Sequence, residues 1–393
     1  MMRKPDLQDD DFLTFHDAPW VMSLRSSLIH WYRQQARDLP WRRTRDPYAI
    51  WVSEIMLQQT QVSTVVPFFE RFIESFPTVE KLAAATEAAV LKRWEGLGYY
   101  RRARNLHRAA REVTDQYDGQ VPRDAATLSR LPGIGQYTAG AILSIAFDCR
   151  EPIVEANSRR VLARLFAIKG DLSRQPMKHL LWDLAKFVLP EKNVGDFNQA
   201  MMELGSQCCQ KQYPRCMQCP IKEWCRAFQE GLQEELPFTP IQPKIQAVRE
   251  VAVIVRKGKR VLVVQRPSDG RWAGMYDFPR FECSFRSKEK IRQLMVRGVH
   301  QQTGVPIQPG NKIGQIRYVV TRFRTTVDCY EAHFSNTGKP NRSENDISVN
   351  TLQKEQQEAG SLWQMLWATR KQIDSFPMSV PARRVIRLLE DFD

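Results

Sequence analysis

Four cysteines, Cys209, Cys216, Cys219 and Cys225, stand in the spacing C-x6-C-x2-C-x5-C, with Pro214 and Pro220 turning the chain between them. Four thiolates on so short a segment hold either zinc or a cubane iron–sulfur cluster. Zinc sites usually pair two short knuckles and only one C-x2-C is present, so the spacing favours [4Fe–4S] over zinc and over inert core thiols. Cys208 has no place in the pattern. A second stretch is "LPGIGQYTAG", residues 131–140. Its glycines permit a tight turn, and the helix opening after it leaves backbone N–H groups without internal partners, which attracts phosphate oxygens. This is either a helix-hairpin-helix, which grips a DNA backbone without reading bases, or an ordinary glycine turn between packed helices. A third feature is Glu54, which follows Trp51 and Val52 and precedes Ile55, Met56 and Leu57. On so apolar a helix, desolvation favours the protonated carboxyl and suits it to general-acid work; the alternative is a solvated helix glutamate.

These residues need elements to position them. The 393 residues exceed one ordinary core and suggest two or three domains. Hydrophobic content of 42% and charged content of 26% are those of a globular chain and exclude disorder as the default. A net charge of +14 and a pI near 9.5 attract polyanions, so nucleic acid leads the candidate partners, with a merely soluble basic protein as the alternative. No apolar run approaches the ~20 residues of a membrane span, and "MMRKPDLQDDDFL" is too acidic for a secretory signal. A cytoplasmic protein without a membrane association is expected, since the cysteines cluster instead of forming a spread disulfide framework.

From about residue 20 to 230 apolar residues recur at helical intervals in "LIHWYRQQAR", "IWVSEIMLQQTQVSTVVPFFERFIESF", "EAAVLKRWEGL", "GAILSIAF", "SRRVLARLFAI" and "HLLWDLAKFVL". The Pro-rich "QEGLQEELPFTPIQPKIQ" then suits a linker. Beyond Arg249 strands alternate, with a hairpin at Lys257-Gly258-Lys259, a helix at "SKEKIRQLMVRGVHQQTG" and strands at "IGQIRYVVTRF" and "TTVDCYEAHF". The expected organisation is a tail at 1–18, possible disorder included, an all-α domain at 19–230, a linker at 231–247 and an α+β domain at 248–393.

Turn and cysteine spacing together resemble the helix-hairpin-helix, iron–sulfur DNA glycosylase superfamily, and "WVSEIMLQQTQ", "GLGYYRRARNLH" and "FNQAMMELG" narrow the resemblance to adenine DNA glycosylases of the MutY type. It covers most of residues 20–230, while "RPSDGRWAGMYDFPRFE" at 266–282 resembles that family's Nudix-like domain more loosely. The resemblance implies a monofunctional glycosylase of base excision repair, acting as a monomer on double-stranded DNA that carries A:8-oxoG or A:G mispairs. In the lyase branch of the superfamily a lysine stands where Tyr137 stands here. Tyrosine forms no Schiff base, so the chemistry is expected to stop at base removal.

By the same resemblance Glu54 protonates adenine at N7 and then helps activate water, Tyr137 hydrogen-bonds that carboxyl, Glu155 is expected to stabilise the cation-like sugar, and Asn157 matches the family's catalytic asparagine. The family pattern has aspartate where Glu155 stands, and the extra C–C bond, about 1.5 Å, is enough to affect rate. Arg37, Trp41, Arg42, Leu57 and Glu203 match positions around the adenine. Gln58, Gln59, Thr60 and Tyr99 match residues that wedge into the duplex, and Gly133 and Gly135 the hairpin that meets the backbone. Arg101, Arg102, Arg104 and Arg108, interleaved with aromatics, suit phosphate contact, with a solvated helix face as the alternative. In the C-terminal half "RGVHQQTG" (297–304) places Gly298, Gln301 and Gln302 where a Nudix hydrolase has its Mg²⁺-binding carboxylates, so phosphohydrolase activity is not expected. The family's Phe-Ser-His loop for 8-oxoguanine aligns with Val320, Thr321 and Arg322. Thr321 and Arg322 remain able to meet a purine edge. Glu155 and this loop motivate two rivals, a glycosylase of altered specificity and a non-catalytic lesion-binding protein.

Overall fold

The computed structural model describes residues 19–238, 245–267, 270–320, 322–335 and 363–389. The expected tail at 1–18 and the centre of the expected linker lie outside them. The chain divides into two compact units, Met1–Ala85 with Arg101–Ile241, and Thr86–Tyr100 with Gln242–Asp393.

Helices follow one another as α1 (Pro19–Gln35), α2 (Pro47–Leu57), α3 (Val62–Ser75), α4 (Val79–Ala84), α5 (Glu87–Trp94), α6 (Arg101–Tyr117), α7 (Ala125–Leu128), α8 (Gln136–Phe147), α9 (Ala156–Leu165), α10 (Gln175–Val188), α11 (Val194–Gln207) and α12 (Arg226–Gln229). All but α5 belong to the first unit, which is helical as the periodicity predicts. One core there is built from α1, α9, α10 and α11 and includes Leu24, Leu28, Leu162, Leu184 and Leu204. A second joins α2 to α8 through Ile50, Ala141, Ile145 and Ile153. Helix α2 is buried continuously from Tyr48 to Met56, as a helix apolar on all sides must be. Asp46 starts it by accepting from the Tyr48 and Ala49 amides, with Pro47 in the first turn.

The stretch 50–76, periodic throughout, is not one helical run. Helix α2 stops because Arg102 of α6 donates to the carbonyls of Ile55 and Met56, both at 2.9 Å, and of Gln58. A continuing helix would need those carbonyls itself. Gln59 then takes a left-handed φ of 58°, and α3 starts at Val62.

In the second unit the strands are β1 (Gln246–Lys257), β2 (Arg260–Gln265), β3 (Tyr276–Asp277), β4 (Arg280–Glu282), β5 (Ile307–Val320), β6 (Phe323–Phe334) and β7 (Met365–Ala368). They form one mixed sheet in the order β3-β2-β1-β6-β5, with β4 on β1 and β7 on β2. Only β1 and β6 are parallel among these pairings, and the β1–β2 hairpin turns at Gly258 as expected. Both faces are covered. Ala252 and Ile254 pack with α15 (Val380–Ile386), which follows α14 (Arg370–Ser375), while Val251, Val253 and Val255 pack with α13 (Lys288–Thr303). Burial on both faces explains why "VAVIV" is apolar without alternation. Helix α5 joins this unit by Glu95, which accepts from Arg383 at 2.5 and 3.1 Å, and by Lys92, which donates to the Asp374 carbonyl at 2.6 Å.

A Cβ at Gly298 of α13 would lie 2.8 Å from the Phe281 ring. Gly298→Ala is therefore expected to lower the protection of β1 and α13 amides by about 1–3 kcal/mol in hydrogen exchange, through overpacking. Unchanged protection would show that the ring moves aside without cost.

Candidate active site

The site is assembled in the first unit from three segments that meet around one carboxyl. Glu54 sits in the buried Tyr48–Met56 run of α2 and is 3% exposed. Burial pushes its pKa up to about 7; the hydrogen bond from Tyr137 and the charge of Arg42 lower it, and the charge of Glu155 raises it. Tyr137 donates from its hydroxyl to Glu54 Oε2 at 2.5 Å and lies 3.4 Å from Met202 Sδ. Its own pKa is raised well above the usual range, by burial first and then by the Glu54 charge. The hairpin explains why the tyrosine arrives there. Leu131 accepts from the Ile134 amide across the turn, Gly133 has φ 81°, Gly135 caps α8, and Tyr137 is the second residue of that helix.

Glu155 begins the third segment as the cap of α9. Its Oε1 accepts from the amides of Asn157 and Ser158, both at 2.7 Å, while the Ser158 hydroxyl accepts from the Glu155 amide. Oε2 makes no hydrogen bond among the described residues. Burial raises the Glu155 pKa, and the two capping amides oppose that rise. The longer side chain thus anchors one oxygen on the helix end, and the carboxyl is close enough to Glu54 for the charges to interact. Asn157 accepts from Arg160 at 2.9 Å. Arg160 also donates to the carbonyls of Gly205 and Cys209, each at 2.7 Å, so α9 ties the second carboxylate to the cysteine segment.

Glu203 of α11 is the hub of the residues matched to the adenine pocket. Burial alone would raise its pKa, but Arg37 at 2.7 and 2.8 Å and Arg42 at 2.8 Å bring it down to about 2. Gln207 donates to the same carboxylate. Trp41 is buried edge-on to Phe69 at 5.4 Å, and Leu57 is half-buried at the end of α2. In the turn that follows, Gln58 donates to the Thr138 hydroxyl at 3.3 Å and Arg102 to the Thr60 hydroxyl at 3.1 Å, while Gln59 is exposed. Arg102, expected to contact phosphate, is instead engaged with the carbonyls that end α2. Tyr99, in the second unit, is 47% exposed with φ 48°.

Cys209, Cys216, Cys219 and Cys225 ring one cavity, which Cys208, Arg164 and Lys222 also line. Among the described residues no three His, Cys, Asp or Glu side chains converge to hold a single ion. Arg164, 2% exposed, donates to Cys209 Sγ at 3.3 Å and to the Gln210 carbonyl at 2.6 Å. The spacing of α9 placed Arg160 and Arg164 on one face, a signal that could have singled them out. In the second unit Gln302 is buried and donates to the Arg280 carbonyl at 3.3 Å, and Phe281 covers Gly298, so two of the three places of the Nudix carboxylates are filled by packing, while Gln301 is exposed. Val320 ends β5, Thr321 lies outside the described residues, and Arg322 is exposed with its guanidinium 5.3 Å from the Phe323 ring centre.

The family profile of the HhH-GPD superfamily base excision DNA repair protein matches residues 52–187, and that of the NUDIX domain matches 250–388. The adenine DNA glycosylase of Rattus norvegicus is 36% identical over 368 residues, covering 80% of this chain and 71% of the relative. That of Homo sapiens is 35% identical over 372 residues, covering 80% and 68%. Among solved structures, a thermostable thymine-DNA glycosylase superposes with a TM-score of 0.50 at 30% identity, covering 54% of this chain and 97% of that one.

A Cβ on Gly205 would lie 2.6 Å from Asn157 Cβ and 3.0 Å from its backbone. Gly205→Ala must push the start of α9 away from α11. Single-turnover base release is expected to fall on the order of a hundredfold for a shift near 1 Å, with helical circular dichroism retained. An unaltered rate would detach Glu155 and Asn157 from the chemistry.

Proposed function

The chain belongs to the adenine DNA glycosylase family of base excision repair enzymes, and from that premise we propose that its substrate is adenine mispaired with 8-oxoguanine or guanine in double-stranded DNA. The observation that carries the reading is the Tyr137 hydroxyl 2.5 Å from a buried Glu54 whose pKa is pushed up to about 7. A carboxyl protonated near neutrality is matched to handing its proton to a leaving base. In the proposed reaction the Glu54 proton moves to adenine N7, and the bond from C1′ to N9 breaks with its electron pair leaving on the base. The positive charge that develops on the sugar faces the Glu155 carboxylate, whose free Oε2 stabilises it. Water then bonds C1′ and returns a proton to Glu54. Tyr137 offers no amine, which supports base removal without strand cleavage.

Arg37 and Arg42, held rigid on Glu203, supply fixed donors for the purine edge. Extruding the base costs a few kcal/mol of stacking. Gln58, Gln59, Thr60 and Tyr99 are the side chains proposed to fill the gap, and Gly133 and Gly135 expose the hairpin amides to the backbone. Thr321 and Arg322 are proposed to meet 8-oxoguanine, with the exposed Arg322 beside Phe323 as support. Cys209, Cys216, Cys219 and Cys225 are proposed to hold a [4Fe–4S] cluster. Four half-buried thiols around one cavity, with a buried arginine beside them, are the donor set such a cluster takes. When bound it would supply a rigid crosslink of the segment that α9 grips.

Single-turnover assays on A:8-oxoG, A:G and G:T duplexes test the reading. Adenine release from the first two, strand breaks only after alkali, and loss of release in Glu54→Gln by on the order of a hundredfold or more are expected. Release from G:T alone would favour altered specificity, and lesion binding without turnover a non-catalytic protein.

A further inference from the structure

The arginine-rich stretch between Pro40 and Pro47 walls a cavity of about 420 Å³ in the first unit, which Glu54, Tyr137 and Glu155 do not line. Arg37 and Arg42 border it, and both are already spent on Glu203. Arg43 donates to Asp38 at 2.7 and 2.5 Å, but the two side chains are 63% and 71% exposed, so the pair is weak and exchangeable. Arg45 is the least satisfied cation. Its hydrogen bond goes to the Ile145 carbonyl at 3.1 Å, while Asp196, 4.0 Å away, is taken by Arg33 at 2.9 and 3.1 Å. Tyr32 of α1 also lines the cavity and is 6% exposed, yet its hydroxyl makes no hydrogen bond among the described residues. A hydroxyl so placed calls for an acceptor that enters the cavity. Thr44 beside them accepts from the Asp46 amide at 3.0 Å and keeps its own proton to donate.

We propose that this cavity binds a free nucleoside 5′-monophosphate, with its phosphate on Arg45 and the Tyr32 hydroxyl. Four arginines against two aspartates in the lining select an anion. A guanidinium with two hydroxyls suits phosphate oxygens. Phosphate alone would fill a small part of the space, whereas 420 Å³ is of the size that small organic ligands take. Ala36 and Ile145 supply an apolar wall, and the Gln199 amide offers both a donor and an acceptor to a base edge. A backbone phosphate of duplex DNA stays at the surface, whereas Tyr32 is buried. No bond is made or broken, and the adenine release proposed above does not depend on this site.

Calorimetric titration of the full chain with adenosine 5′-monophosphate, adenosine and inorganic phosphate tests this without DNA. The monophosphate is expected to bind about tenfold or more tightly than either of the others, and about tenfold less tightly to Arg45→Gln and to Tyr32→Phe, with helical circular dichroism intact. Should one variant fail to fold, the other decides. Glu54→Gln is expected to bind the monophosphate as the parent does. No binding at millimolar concentration, equal affinity in the parent and in either folded variant, or loss of binding in Glu54→Gln, which would seat the nucleotide in the adenine site, overturns the proposal. So does displacement of the monophosphate by a single-stranded oligonucleotide without terminal phosphates, which would make the cavity a backbone site. A parent chain that releases no adenine from mispairs would defeat the earlier reading and leave these affinities untouched.

Discussion

A carboxyl forced into an apolar interior organises the first unit. Raising the Glu54 pKa from 4.5 to about 7 costs about 3 kcal/mol for the ionised form. The sign follows from the direction. Stability from the buried neutral acid is fully present below its unfolded pKa and is lost as pH rises through about 7. The fold tolerates this because α2 is central: packing from Tyr48 to Met56 holds the helix in place, and among the described residues Tyr137 donates the hydrogen bond that its carboxyl accepts. Without the burial the acid would be spent at neutral pH; without Tyr137 it would have no fixed direction.

The rest of the unit serves that contact. Gly133 turns the chain so that α8 starts with Tyr137 facing α2. Arg102 ends α2 three residues after Glu54 and keeps the Gln58–Thr60 turn beside the carboxyl. Helix α9 carries Glu155 at its first turn and Arg160 and Arg164 further along, which join the second carboxylate to the cysteine segment. Burial pushes the pKa of both carboxyls up; Glu54 meets one tyrosine donor in an apolar helix, whereas at Glu155 two backbone amides oppose the rise.

Much of this was legible in the residues, and the remainder was not for physical reasons. The apolar neighbours of Glu54 announce its desolvation, and the cysteine spacing announces that four thiols meet around one cavity, because both signals are local in sequence. The contact of Tyr137 with Glu54 spans 83 residues and entered only through the family resemblance. Periodicity ran straight through Gln58–Gln61, since an arginine from α6 that ends a helix leaves no mark on the helix it ends. Arg102 looked like one of a row of phosphate contacts for the same reason. Gly298 was visible as a missing carboxylate, but only the fold reveals Phe281 in its place. The grouping of Thr86–Tyr100 with the C-terminal unit likewise depends on Glu95 and Arg383, far apart in the chain.

The most direct measurement is the ionisation of Glu54 itself. Infrared difference titration of the parent against Glu54→Gln isolates the carbonyl stretch of that one carboxylic acid. The account predicts a midpoint near pH 7, moving higher in Tyr137→Phe, where a donor that favours the carboxylate is removed. A midpoint at the ordinary carboxylate value, about 4.3, would contradict it.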